Sequence, residues 1–261
     1  CGFTVQLGAR FAKAHRASVG ALNVAHEPDK QQHHRADRQH REQDGDPQAL
    51  IVFFLKRSFD MVFAQIVYDG VWKTRHSGLP VMLQTFNART GIPVKFGFKE
   101  LRLSDPGVFD SPVLYITGHE DFQLNAEEKA ALKEYIENGG LLFAESCCGR
   151  KGFDAAFKAM ITSIFPSKKL ERIPLDSILF KEPNEIKAVG VTEGLMQESG
   201  GKARTEPALF GMDFGGHYGV IYSPFGLAGG WEMSQSPYAR GVNDSGALHL
   251  GQNILMYSLT N

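Results

Sequence analysis

The sequence predicts an α/β domain in which helices cover both faces of a mostly parallel sheet. Two observations lead there. Short apolar runs alternate with segments of helical period, separated by brief Gly-rich joints. The clearest run, Val113-Leu114-Tyr115-Ile116-Thr117, is continuous and apolar, as a strand covered on both faces should be.

Taken in order, Met61 to Tyr68 reads as a buried strand ending at Asp69-Gly70. A helix follows over Pro80 to Arg89, stopped by Gly91 and Pro93. Val94 to Leu103 holds a second strand with a break expected at Gly97, and Val113 to Thr117 is the third. The next helix has the clearest start: Asn125 as N-cap and Glu128 as its capping-box partner. Leu132, Tyr135 and Ile136 line one of its faces, and Gly139-Gly140 ends it. Leu141-Leu142-Phe143-Ala144 is the fourth strand. Phe153, Phe157, Met160, Ile161 and Ile164 then recur at helical spacing until Pro166. Val220 to Ser223 supplies a late strand, and a closing helix runs from Ala247 to Leu259.

Composition bounds the function classes. A chain of 261 residues, 43% hydrophobic and 22% charged, can bury a real core. A formal net charge of -1 gives no sign of a nucleic-acid partner, so a small molecule or another protein is expected, of unknown identity. The longest apolar run, Ala49 to Leu55, falls short of the ~20 residues a bilayer span needs. Three cysteines are too few for a disulfide framework, and the absence of a CxxC pair excludes a zinc knuckle. Composition names no cofactor, which stays unknown, and the compartment stays open.

Residues 1–58 differ in character. The stretch from Glu27 to Gln48 is rich in His, Arg and Gln (His33, His34 and His40 among them) and almost free of apolar side chains. It is expected to be a partly disordered, solvated extension rather than a metal site, with the folded domain spanning 59–261. A short helix is expected within residues 1–26. The start at Cys1 reads as a fragment in preference to a mature lipoprotein.

Open parallel sheets bind ligands outside the carboxyl ends of their strands. The first strand is followed by Asp69, the third by His119, Glu120 and Asp121, and the fourth by Glu145, Ser146, Cys147, Cys148 and Gly149. After the late strand comes Gly229-Gly230-Trp231-Glu232, where Trp231 either stacks on a flat ligand or closes the domain edge; the second is preferred. Acids, one histidine and two thiols thus gather at one rim, which core packing does not require.

The run Thr117 to Phe122, the Glu-rich helix, Gly139-Gly140-Leu141-Leu142 and Cys147-Cys148-Gly149 with Phe153 resemble the central signature of the bacterial domain-of-unknown-function 4159 (DUF4159) family. Gly91-Ile92-Pro93, Pro174-Leu175-Asp176, Tyr222-Ser223 and Gly251-Gln252-Asn253 fit it too. The resemblance implies a flavodoxin-like three-layer sandwich similar to class I glutamine amidotransferases. In that superfamily the fourth-strand loop is a nucleophile elbow, Gly-x-Cys-x-Gly, which places Cys147 at the nucleophile position. Glu145 stands where the elbow has Gly, so a carboxylate is expected to crowd the turn and oppose the usual chemistry. The partner histidine is open among His119, His217 and His249. Three readings follow. The first is a non-catalytic ligand-binding or assembly module. The second is a hydrolase or transferase using Cys147. The third is a metal-dependent enzyme centred on His119 and Glu145, with Glu120 or Asp121 and a cysteine as further ligands.

Overall fold

The structure, a computed structural model, describes residues 60–91 and 95–260. The expectations for residues 1–58, and for Ile92, Pro93 and Val94, lie outside the described residues. Among the described residues nine strands form: β1 (Asp60–Val67), β2 (Lys95–Arg102), β3 (Val113–Gly118), β4 (Leu141–Ser146), β5 (Glu171–Arg172), β6 (Val189–Gly190), β7 (Arg204–Thr205), β8 (Phe210–Asp213) and β9 (Tyr218–Ser223). Six α-helices accompany them: α1 (Gly78–Thr90), α2 (Ala126–Glu137), α3 (Lys151–Ile164), α4 (Glu193–Glu198), α5 (Ala228–Trp231) and α6 (Asp244–Thr260).

Seven strands make one sheet in the order β2-β1-β3-β4-β9-β8-β5, while β6 and β7 pair separately. The first five run parallel; β8 returns antiparallel to β9, and β5 antiparallel to β8. From β1 the chain goes to β2 on one side, then crosses to β3 on the other. The strand order therefore switches between β1 and β3, and their carboxyl ends open the crevice such sheets use for ligands. This is the expected mostly parallel, flavodoxin-like arrangement.

Local signals act as anticipated at most joints. Every residue of β3 and β4 is buried. The capping box is complete: the Glu128 N–H donates to Asn125 Oδ1 and the Asn125 N–H to Glu128 Oε2, each at 2.9 Å. On α3 the five apolar residues all face inward. The expected break at Gly97 does not occur, because Gly97 pairs with Val62 in an unbroken β1–β2 ladder.

The sheet sorts its side chains by alternation. Leu142 and Ala144 of β4 join Leu132, Ile136, Phe153 and Phe157 of α2 and α3 in one core. Phe122 stacks on Phe153 at 5.1 Å between ring centres, and Phe157 on Tyr222 at 4.6 Å. On the opposite face Tyr115 and Phe143 pack against Trp231, which belongs to the layer of α1, α5 and α6. Burying one such aromatic contributes about 1.5–3 kcal/mol.

Candidate functional site

Because β3 and β4 are neighbours with Gly118 opposite Ser146, the residues just beyond them are neighbours too. His119 Nε2 lies 3.1 Å from Cys147 Sγ. Of the three histidines weighed from sequence, this is the one beside the thiols. His249 meets Arg89 instead, at 3.3 Å, and His217 sits near Asp213 on the β8–β9 turn.

Glu145 requires a correction. The fourth strand continues past Ala144 to Ser146, so Glu145 is an in-strand residue. Alternation sends its side chain onto the face of Tyr115 and Phe143, away from the rim. It is 0% exposed. Its carboxylate accepts from Tyr115 Oη at 2.7 Å, from Thr117 Oγ1 at 3.4 Å, from the Ala228 N–H at 3.0 Å and from the Leu227 N–H. Burial pushes the carboxyl above its ordinary range, and the bonds from Leu227, Tyr115 and Ala228 hold it partly back. Glu145 thus fixes the start of α5 and points away from the elbow, while its charge pushes the Cys147 thiol up, as expected of a carboxylate at this position.

The two cysteines differ sharply. Cys147 is buried, at 1% exposure, while Cys148 is half-buried. Cys148 has φ 56° and ψ 14°, a left-handed conformation that costs a non-glycine residue about 1–2 kcal/mol. Gly149 follows at φ 64°, where a Cβ would strike the backbone of Arg240 at 2.5 Å. The surrounding chain imposes this turn. The Arg240 N–H donates to Cys148 O at 3.0 Å, Arg240 Nη1 to Gly149 O at 2.7 Å, and the Gly226 N–H to Arg240 O at 3.0 Å. A Cβ on Gly226 would meet the Cys148 nitrogen at 2.7 Å, so only glycine lets this segment close on the elbow.

The left-handed turn brings the sulfurs of Cys147 and Cys148 to 3.8 Å. The Cys147 thiol is pushed up by its hydrogen bond to Cys148, by its burial and by the nearby Glu145 carboxylate. Cys148 is pulled down by the bond from Cys147 and by His119, with Arg75 adding to both against partial burial. Arg75 is aimed by Glu232. Glu232 Oε2 accepts from Arg75 Nη1 at 3.2 Å, and Oε1 from Ser77 Oγ at 2.6 Å and the Ser77 N–H at 3.1 Å. Burial works against the Glu232 charge, but the Ser77 and Arg75 bonds outweigh it and hold the carboxyl low. The side chain of Thr74 lies beside Cys147 and pulls its thiol partly back down.

Cys148 opens on a cleft of about 740 Å³ shared with His119, Glu120, Asp121, Arg150, Tyr238 and Arg240. The expected rim residues Glu120 and Asp121 are exposed in it. Asp69 is not among its lining residues; it pairs with Arg102 at 2.8 Å, its side chain 87% exposed. The ligand-stacking alternative for Trp231 does not fit: with 0% exposure and its indole N–H on Ala247 O at 2.9 Å, it has no face to offer a ligand. Sequence reasoning missed Arg75, Tyr238 and Arg240. All three come from aperiodic loops; only the position of Arg75, after the first strand, hinted at it.

A cysteine on a left-handed turn, at the carboxyl end of a parallel sheet and beside a histidine, defines an α/β domain with a thiol-bearing crevice. The chain belongs to the DUF4159 family, described as a domain of unknown function, whose profile matches residues 62–259. Among solved structures it is similar to a ThuA-like protein from Bacteroides uniformis, at 12% identity and a TM-score of 0.35, covering 77% of this chain and 91% of that one. No curated protein matches it. Among the described residues no helix is long and apolar enough to cross a membrane.

Proposed function

We propose that the domain is a thiol-dependent hydrolase or acyl transferase on a class I amidotransferase-like scaffold, with Cys148 rather than Cys147 as the nucleophile. The placement of one sulfur carries this reading. Cys148 sits on a strained turn between a parallel strand and α3, opens on the cleft, and has His119 and Arg75 beside it. A thiol exposed on such a turn, near a helix N-terminus and a base, meets the geometric needs of nucleophilic catalysis. Cys147, fully enclosed, is the hydrogen-bonding partner of the attacking sulfur.

In the reaction, the Cys148 thiolate adds to a substrate carbonyl carbon, and the C–S bond forms as the bond to the amine or alkoxide leaving group breaks. His119 gives its proton to that leaving group. Water then adds to the thioester with His119 taking a proton, and the C–S bond breaks to release the acid and the thiolate. For transfer, an amine or alcohol replaces the water.

Iodoacetamide labelling of the reduced, metal-free chain in a Cys1→Ser background tests the reading. Mass mapping should find Cys148 modified rapidly and Cys147 spared. Cys148→Ser should abolish rapid labelling, and Cys147→Ser should leave it in place. Slow, equal modification of both thiols would overturn the proposal and favour a binding or assembly role.

A further inference from the structure

The cysteine pair has a second property that a nucleophile does not need. Consecutive residues of an extended chain point to opposite sides, so Cys147 and Cys148 would ordinarily present their sulfurs apart. The left-handed turn at Cys148 cancels that divergence, and His119 approaches from the neighbouring strand. One nitrogen and two sulfurs thereby lie within 4.8 Å of one another. This is the one such His, Cys, Asp or Glu cluster of three among the described residues.

We infer that His119, Cys147 and Cys148 form a three-ligand site for a thiophilic divalent cation, zinc by chemistry. Bond lengths of about 2.3 Å to sulfur and 2.0–2.1 Å to nitrogen, at tetrahedral angles, put two sulfurs roughly 3.8 Å apart and a sulfur and nitrogen roughly 3.6 Å apart. The sulfurs here are 3.8 Å apart, and the nitrogen is 3.1 Å from Cys147 Sγ and within 4.8 Å of Cys148 Sγ, so a small adjustment of the ring meets this spacing. Imidazole and two thiolates are ligands that select zinc over magnesium or calcium. Binding displaces the Cys147 proton to solvent, and the two thiolates then neutralise the metal's charge. The fourth position faces the cleft, where water or a substrate oxygen completes the shell. Glu145 takes no part, its oxygens being committed to Tyr115, Leu227 and Ala228.

The inference shares residues with the proposed nucleophile but stands on ligand spacing alone. Cobalt(II) is the probe, added to the reduced, metal-stripped full chain carrying Cys1→Ser, so that Cys1 can contribute no thiolate signal and bands that follow His119 and Cys148 mark the proposed site. The expected result is one equivalent of cobalt with thiolate-to-metal charge-transfer absorption, displaced by zinc. His119→Ala and Cys148→Ser, both at half-buried positions, should each weaken binding roughly 10–100-fold or more. Absent charge-transfer bands, or bands unchanged in both variants, would overturn it. Selective Cys148 labelling in a protein that binds no cobalt leaves the nucleophile and removes the metal site. Tight cobalt binding without selective labelling does the reverse.

Discussion

The carboxylate of Glu145 accepts from the backbone N–H of Leu227, joining the end of β4 to a helix that begins more than eighty residues later. The bond lies in the core, and Tyr115 and Ala228 complete it. Glu145→Ala would leave a buried hydroxyl and two buried N–H groups unpaired, at about 1–3 kcal/mol each. The expected loss is about 3–5 kcal/mol, read as a fall in the urea midpoint. Glu145→Gln, which keeps one acceptor, should lose less. Unchanged stability in Glu145→Ala would contradict the structural role.

Glu232 acts on the site through Arg75. Glu232→Gln should release the guanidinium and slow iodoacetamide modification of Cys148 severalfold, with a stability change within about 1 kcal/mol, as for a partly exposed ion pair. Arg75→Gln should slow it to a similar degree, and the double variant no further. Additive effects would show that Glu232 does something other than aim Arg75.

Trp231 belongs to the core. Trp231→Ala should cost about 3–5 kcal/mol, and Trp231→Phe about 0.5–1.5 kcal/mol for the lost indole hydrogen bond to Ala247. Denaturant midpoints measure both. A fully stable Trp231→Ala variant would return the indole to the surface.

Asp213 gives a pH-dependent expectation. Its carboxylate accepts from the N–H groups of Gly215, at 2.9 Å, and Gly216, at 3.2 Å, which hold it below the ordinary Asp range. A depressed folded value means the contribution is present above the unfolded pKa and is lost as pH falls through the folded one. Carbon NMR titration of the Asp213 side chain should therefore show a midpoint below that of an unstructured Asp. A midpoint at the ordinary value would refute the turn's hydrogen bonds in solution.

Much of this architecture was legible in the chain. Continuous apolar runs gave β1, β3, β4 and β9, and the Asn125–Glu128 pair located the start of α2. What escaped were β5 to β8 and the short helices α4 and α5, since none is longer than six residues and so none shows a period. At the site, His119 and the cysteines were visible because they follow strand ends. The role of Glu145 was not. Whether a polar residue closes a strand or leaves it depends on where pairing stops, and pairing with β3 carries β4 two residues beyond its apolar run. The choice between the cysteines was equally hidden, because it turns on a backbone angle that Gly226 and Arg240 impose from far along the chain.

That distance orders events during synthesis. Arg240 lies 91 residues beyond Gly149, the carbonyl it holds. Until a ribosome has delivered the segment from Gly226 to Arg240, nothing clamps the elbow, and the paired thiols stand open to oxidants and to stray metal. The crevice is therefore closed late, by the segment from Gly226 to Arg240. A nascent chain arrested before Gly226 should carry two ordinary, equally reactive cysteines, and the completed one should not.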